Sequence, residues 1–335
     1  MPINRRVVVV TGASAGVGRA AASAFAHTGA RVALLARGEA GLEGARREIV
    51  AKGGECIIVP TDVANADEVE RAAVRIEAEL GPIDVWVNNA MVSVFAPFKE
   101  LTPEEFRRVT DVTYLGCVHG TMAALRRMLP RNRGSIIQVG SALAYRSIPL
   151  QSAYCGAKAA IRGFTDSIRC ELIHDKSRVH ITMVQMPALN TPQFGWTRNR
   201  MPNKAQPVPP IFQPEVAAKA IVWASTHRRR ELYVGWPTVK AIVLGSKLAP
   251  RVGDLVLGRT GYASQQTREK NPGAARDDLF APVNEDRGTH GTFDEVATAR
   301  SPFLWLATHR ATVALVVGGL VSATAFALRA RATNA

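Results

Sequence analysis

Through roughly the first 190 residues, short runs of β-branched residues alternate with longer stretches in which apolar positions recur every three or four residues. The short runs are strand-like, and the 3.6-residue period marks helices with one apolar face. The pattern predicts strands at 7–10, 31–36, 56–60, 85–88, 135–139 and 179–185, with a seventh at 232–235. It predicts helices at 16–28, 40–52, 65–80, 103–129, 152–174 and 214–226. Such alternation implies an α/β architecture, a parallel sheet with crossover helices. Past residue 250 the alternation dissolves. Residues 251–301 are polar, with turn signals at Asn271-Pro272-Gly273 and Asp286-Arg287-Gly288, and predict an extension or linker.

Residues 302–335 contain an uncharged run, 311–328, flanked by His309 and Arg310 before it and Arg329 and Arg331 after it. As a helix this run spans about 27 Å, close to a hydrocarbon core of about 30 Å. Its polar residues are Thr312, Ser322 and Thr324, too few for the polar face of a core helix, so a transmembrane anchor is favoured over a packed helix. Tyr233 and Trp236 beside the apolar stretch 239–248 suit a membrane interface or ordinary packing.

Composition removes several alternatives. With 335 residues, 47% of them hydrophobic, the chain has ample apolar surface for a large core and is not a disordered, collagen-like or disulfide-stapled protein. Cys56, Cys117, Cys155 and Cys170 form no metal-ligand spacing, which fits a reduced intracellular chain and predicts no metal site. Arg5 and Arg6 precede an apolar run too short for a signal peptide. The net charge of +14 suits an anionic cofactor, an acidic lipid surface or simple solubility. Between Asp111 and Asp166 lie Arg126, Arg127, Arg131, Arg133, Arg146, Lys158 and Arg162 with no acidic residue among them. No zinc-finger, helix-turn-helix or RNA-binding motif is present, so no nucleic-acid partner is expected.

The first strand runs directly into Thr11-Gly12-Ala13-Ser14-Ala15-Gly16-Val17-Gly18 and then a helix. Glycines there let the backbone turn tightly and approach a pyrophosphate held at a helix N-terminus. At the tip of the second strand, where an NAD site usually has a carboxylate, stands Arg37; this fits the 2′-phosphate of NADP(H). Asp62 and Val63 follow the third strand and Asn88-Asn89-Ala90 the fourth, at the sheet edge where open α/β folds bind ligands. Tyr154 and Lys158 stand four apart on a predicted helix and share a face. A phenol acting as a base near neutrality needs its pKa lowered from about 10, which a nearby ammonium favours. Ser141, just past the fifth strand, is placed to donate to a substrate carbonyl.

Together these motifs resemble the short-chain dehydrogenase/reductase family over roughly residues 5–240. The resemblance implies a Rossmann-type doubly wound sheet and hydride transfer between NADP(H) and a carbonyl or alcohol group of a small hydrophobic substrate; NAD(H) is the less favoured cofactor. It assigns Ser141, Tyr154 and Lys158 to catalysis. It assigns Gly12, Ser14, Ala15, Gly16, Gly18, Arg37, Asp62, Val63, Asn89, Tyr154, Lys158 and Thr191 to the cofactor. Three departures stand out: Met91 for a glycine after Asn-Asn-Ala, Thr113 for the asparagine of a proton relay, and Ala188 for a glycine after Pro187. A threonine hydroxyl still binds water, so Thr113 is expected to serve the relay more weakly. Residues 194–212 fall where the family has its substrate lid, with Trp196, Met201, Ile211 and Phe212 as apolar contacts. The expected organisation is a catalytic domain at 1–250, a polar extension at 251–301 and an anchoring segment at 302–335, with the catalytic domain in the cytoplasm. A membrane-associated dinucleotide sensor or scaffold is the alternative, and a homo-oligomer stays open.

Overall fold

The computed structural model describes residues 5–235, 244–245, 248–273, 276–310 and 312. Seven strands form one parallel sheet: β1 Val7–Thr11, β2 Arg31–Ala36, β3 Glu55–Pro60, β4 Ile83–Asn88, β5 Ser135–Ser141, β6 His180–Met186 and β7 Glu231–Tyr233. Their spatial order is β7-β6-β5-β4-β1-β2-β3. The order reverses between β1 and β4, and this is the crevice where doubly wound sheets bind ligands. All five residues of β1 are buried, as expected of a strand covered on both faces. Val8 and Val10 point into one apolar layer with α1 (Gly16–His27), α2 (Glu39–Ala51) and α7 (Pro214–Ala224). Val7 and Val9 point into the other, with α3 (Ala66–Leu80), α5 (Gly116–Met128) and α6 (Ser152–His174).

The helix predicted at 103–129 runs from Pro103 to Met128, with a change of helical pitch inside it. Thr102 and Glu105 form a capping box that starts α4 (Pro103–Val109). A π-helical turn, Thr110–Leu115, then joins α4 to α5.

The stretch 251–301, expected as a polar extension or linker, is packed on the domain. Helix α8 (Pro250–Ser264) lies over the pocket edge, where a Cβ on Gly261 would come within 2.6 Å of Pro149 Cγ. A strand, Gln266–Lys270, then pairs antiparallel with Asn203–Ala205. Residues 276–298 form a strap along the sheet's carboxyl edge, followed by α9 (Pro302–Thr308) with Leu304 in the core. The glycines of α8 and the polar strap hid this order, because its contacts are made with residues distant in sequence. Apart from Thr312, the expected membrane segment 311–328 lies outside the described residues, as does most of 236–248. No helix among the described residues is long and apolar enough to cross a membrane.

Candidate functional site

The β1–α1 turn explains its own glycines. Gly12 has φ +68°, and a Cβ there would stand 2.9 Å from Ala90 Cα; Gly18 lets α1 pack so close that a Cβ would meet Gly12 O at 2.1 Å. Gly16, with φ +54°, opens α1, and no side chain caps that helix end. Asn89 acts as a brace: its Nδ2 donates to Thr11 O (2.9 Å) and its backbone N–H to Thr11 Oγ1 (2.9 Å). Ser14, Ala15, Gly16 and Val17 are left facing a cavity of about 730 Å³. Gly18 does not line it and shapes the turn from behind.

At the far end of this cavity Arg37 is already engaged. Its guanidinium donates to the strap carbonyls of Asp278, Leu279 (3.3 Å) and Phe280 (3.2 Å). Asp62 pairs with Arg108 at 2.6 Å, and Arg108 Nε donates to Leu279 O at 3.0 Å. Val63 lines the cavity beside them. The strap continues with Asn284 Oδ1 accepting from Ala40 N (3.0 Å) and Asp286 paired with the buried Arg19. Gly288 O accepts from Gly16 N at 3.2 Å, and Gly291 N donates to Asn190 O at 3.3 Å. The strap thus follows the groove from Arg37, past the glycine turn, to Asn190.

Ser141, Tyr154 and Lys158 come together at the other end. Ser141 Oγ accepts from Leu143 N (3.1 Å), and Ser141 and Tyr154 line the cavity together. Lys158 Nζ donates to Val139 O at 2.7 Å and lies 5.6 Å from the centre of the Tyr154 ring. Burial raises the Tyr154 phenol above its usual range and outweighs the opposing effect of the nearby Ser141 hydroxyl. Burial also lowers the Lys158 ammonium to about 8. The phenol is therefore a neutral proton donor, and the lowering expected from Lys158 alone does not occur. Thr191 Oγ1 is buried at the cavity wall with no hydrogen-bond partner, a free donor and acceptor for a ligand amide. That orphan group and the first turn of α1 facing the same cavity fit a nicotinamide dinucleotide.

Thr113 is bonded away from the cavity. Its hydroxyl donates to Val92 O (3.0 Å) and accepts from Val92 N (3.2 Å), and Val112, not Thr113, lines the cavity. A hydroxyl has one proton, and this one is committed to Val92. Met91 and Ala188 both line the cavity. Of the apolar residues expected in the lid, Trp196 faces the cavity, joined by Phe194; Met201 instead packs with Phe95 and Leu150. Ile211 and Phe212 pair with Ala188 and Leu189. The basic run from Arg126 is largely neutralised from elsewhere: Arg127 by Glu70 and Glu77, Arg133 by Asp84 and Arg146 by Asp254.

Sequence reasoning missed the strap residues Asp278, Asn284, Asp286 and Gly288. The Asp286-Arg287-Gly288 turn signal was visible, but its partner Arg19 is 267 positions away.

A short chain dehydrogenase family model matches residues 6–201. YxnA, an oxidoreductase of Bacillus subtilis (strain 168), is 36% identical over 80% of this chain and 76% of its own. A fatty acyl-CoA reductase of Acinetobacter baylyi is 28% identical over 76% of this chain and 84% of its own. Among solved structures, a metagenomic short-chain oxidoreductase in complex with NADP aligns with a TM-score of 0.58 at 27% identity, covering 70% of this chain and 98% of that one. An alcohol dehydrogenase from the archaeon Thermococcus sibiricus, complexed with 5-hydroxy-NADP, aligns with a TM-score of 0.59 at 29% identity over 68% and 95% of the two chains.

Proposed function

The chain belongs to the short-chain dehydrogenase family, and on that premise we propose that it is an NADP(H)-dependent oxidoreductase of a hydrophobic aldehyde, ketone or alcohol. The observation that carries this reading is the convergence of Ser141, Tyr154, Lys158 and the unpartnered Thr191 hydroxyl on one cavity. Bound NADP(H) would supply or accept the hydride. Ser141 orients the substrate oxygen, and Tyr154, protonated at neutral pH, donates to that oxygen as the carbonyl is reduced. Lys158 spends one N–H on Val139 O and has two left for the nicotinamide ribose. The NADP complex of one structural neighbour supports the cofactor assignment. Phe194, Trp196, Leu143 and Val256 give the cavity apolar walls, which, with the relative named as a fatty acyl-CoA reductase, support a hydrophobic substrate.

The test is NADPH and NADH oxidation by purified protein against a panel of aldehydes and ketones of increasing chain length. NADPH-dependent turnover that falls roughly 10²–10⁴-fold in Tyr154→Phe is expected. Activity unchanged in that variant sinks the mechanism. The commitment of the Thr113 hydroxyl to Val92 favours a second reading, a low-turnover dinucleotide sensor. Dinucleotide binding without turnover across the panel would select it.

For location, the run 311–328 supports a tether that holds the catalytic domain on the cytoplasmic side of a membrane. Truncation after Arg310, which keeps Leu304 in the core, should release the protein from a membrane fraction with cofactor binding intact. A full-length protein that fractionates free of membrane contradicts the tether.

A further inference from the structure

The family rule for cofactor choice concerns the tip of β2, where a carboxylate receives the 2′-hydroxyl of NAD(H) and an arginine receives the 2′-phosphate of NADP(H). Here β2 provides only Arg37, but the strap brings a carboxylate to the same place. Asp278 lines the cavity together with Arg37, Gly38 and Asp62. Its backbone is fixed on both sides: its carbonyl accepts from Arg37, and its N–H donates to Trp196 O at 3.2 Å. The adjoining Leu279 is fully buried in the core and anchors the strap there. Asp278 Oδ1 is closed off from solvent and has no hydrogen-bond partner.

We propose that Asp278 is a specificity-determining residue of the dinucleotide site, working against Arg37: its carboxylate accepts the 2′-hydroxyl of NAD(H) and repels the 2′-phosphate of NADP(H). The inference rests on the reading of this groove as a nicotinamide dinucleotide site. Arg37 and Asp278 together make cofactor preference depend on the charge of that carboxyl. The charged groups around it are Arg37 from β2, Arg108 from α4, Asp62, and its neighbour Asp277, which is held by Arg198 at 2.8 Å. Burial outweighs the two arginines and pushes the Asp278 carboxyl up to about 7. It is protonated on the acid side of that value, where NADPH is favoured. It is ionised on the alkaline side, where NADPH loses ground to NADH.

The experiment measures Kd for NADPH and NADH by fluorescence titration between pH 6 and 8.5, on the full chain, its Asp278→Asn variant and its Asp286→Asn variant. In the unmodified protein the preference for NADPH should fall as pH rises through about 7. At pH 8, Asp278→Asn should raise the NADPH-over-NADH preference roughly tenfold, the size expected for removing one like charge across a short solvent-poor gap. It should also flatten the pH dependence, apart from the titration of the 2′-phosphate itself. Asp286→Asn, which loosens the strap where it meets α1, should weaken both dinucleotides in equal proportion. A preference that is the same in Asp278→Asn and the unmodified protein at every pH overturns this inference and leaves the dinucleotide reading standing. Failure of both dinucleotides to bind the unmodified protein overturns this inference and the dinucleotide reading together.

Discussion

The two walls of the dinucleotide groove are built in opposite ways. One is the consecutive run Thr11 to Gly18, where each glycine answers a local steric demand: a positive φ at Gly12 and Gly16, and a close approach at Gly18. The other is the strap, whose Asp278 and Asp286 meet Arg37 and Arg19 across 241 and 267 positions. The first wall uses residue types that few other situations require, so it is recognisable as a motif. The second uses backbone carbonyls and ordinary polar side chains, and only the fold gives them meaning. The first wall should fail abruptly when altered, and the second by degrees.

The largest effect should come from Gly18→Ala. Its Cβ would stand 2.1 Å from Gly12 O, so α1 must move away from the turn, and NADPH affinity should drop roughly 100-fold or more. Titration showing affinity within threefold of the unmodified protein would break the steric account of this wall. The next effect concerns the catalytic pair. Lys158 is charged below about 8 and neutral above it, so carbonyl reduction should be flat at acid-to-neutral pH and fall as pH rises through about 8. A pH–rate profile that holds level until the usual lysine range, about 10.4, would contradict the burial argument.

On the strap side, Asp286→Asn removes one of the two acidic partners of buried Arg19 and leaves Glu48 at 2.7 Å. The retained partner limits the loss to about 1–2 kcal/mol, less than for a buried pair broken outright. That corresponds to a Tm lower by about 2–6 °C in a domain of this size. Smallest is Asn284→Ala, which deletes one hydrogen bond to the exposed N-terminus of α2 and should cost about 0.5–1.5 kcal/mol by denaturant melts. If Asn284→Ala were as damaging as Gly18→Ala, the contrast between the walls would be wrong.

The same contrast accounts for what could be read from the sequence. The sheet was legible because strands buried on both faces, such as the Val7–Thr11 run, are continuously apolar. Ser141, Tyr154 and Lys158 were legible as a spaced set, and the fold brings them to one cavity. Thr113 was placed in the relay by its position in the chain, but the π-helical turn at Thr110–Leu115 and its bonds to Val92 were invisible. Arg37 is legible as a cation at the tip of β2, while the three carbonyls that hold it belong to a segment whose polar composition resembles a linker. The basic run after Asp111 illustrates the same limit, since its acidic partners Glu70, Asp84 and Asp254 come from elsewhere in the chain.

A motif wall and a strap wall that enclose one cofactor should both respond when it binds. Hydrogen–deuterium exchange with and without NADPH tests this most directly. Slowed exchange is expected in residues 12–18 and, in the same experiment, in residues 278–291 of the strap. Protection confined to residues 12–18, with the strap exchanging at its cofactor-free rate, would contradict it.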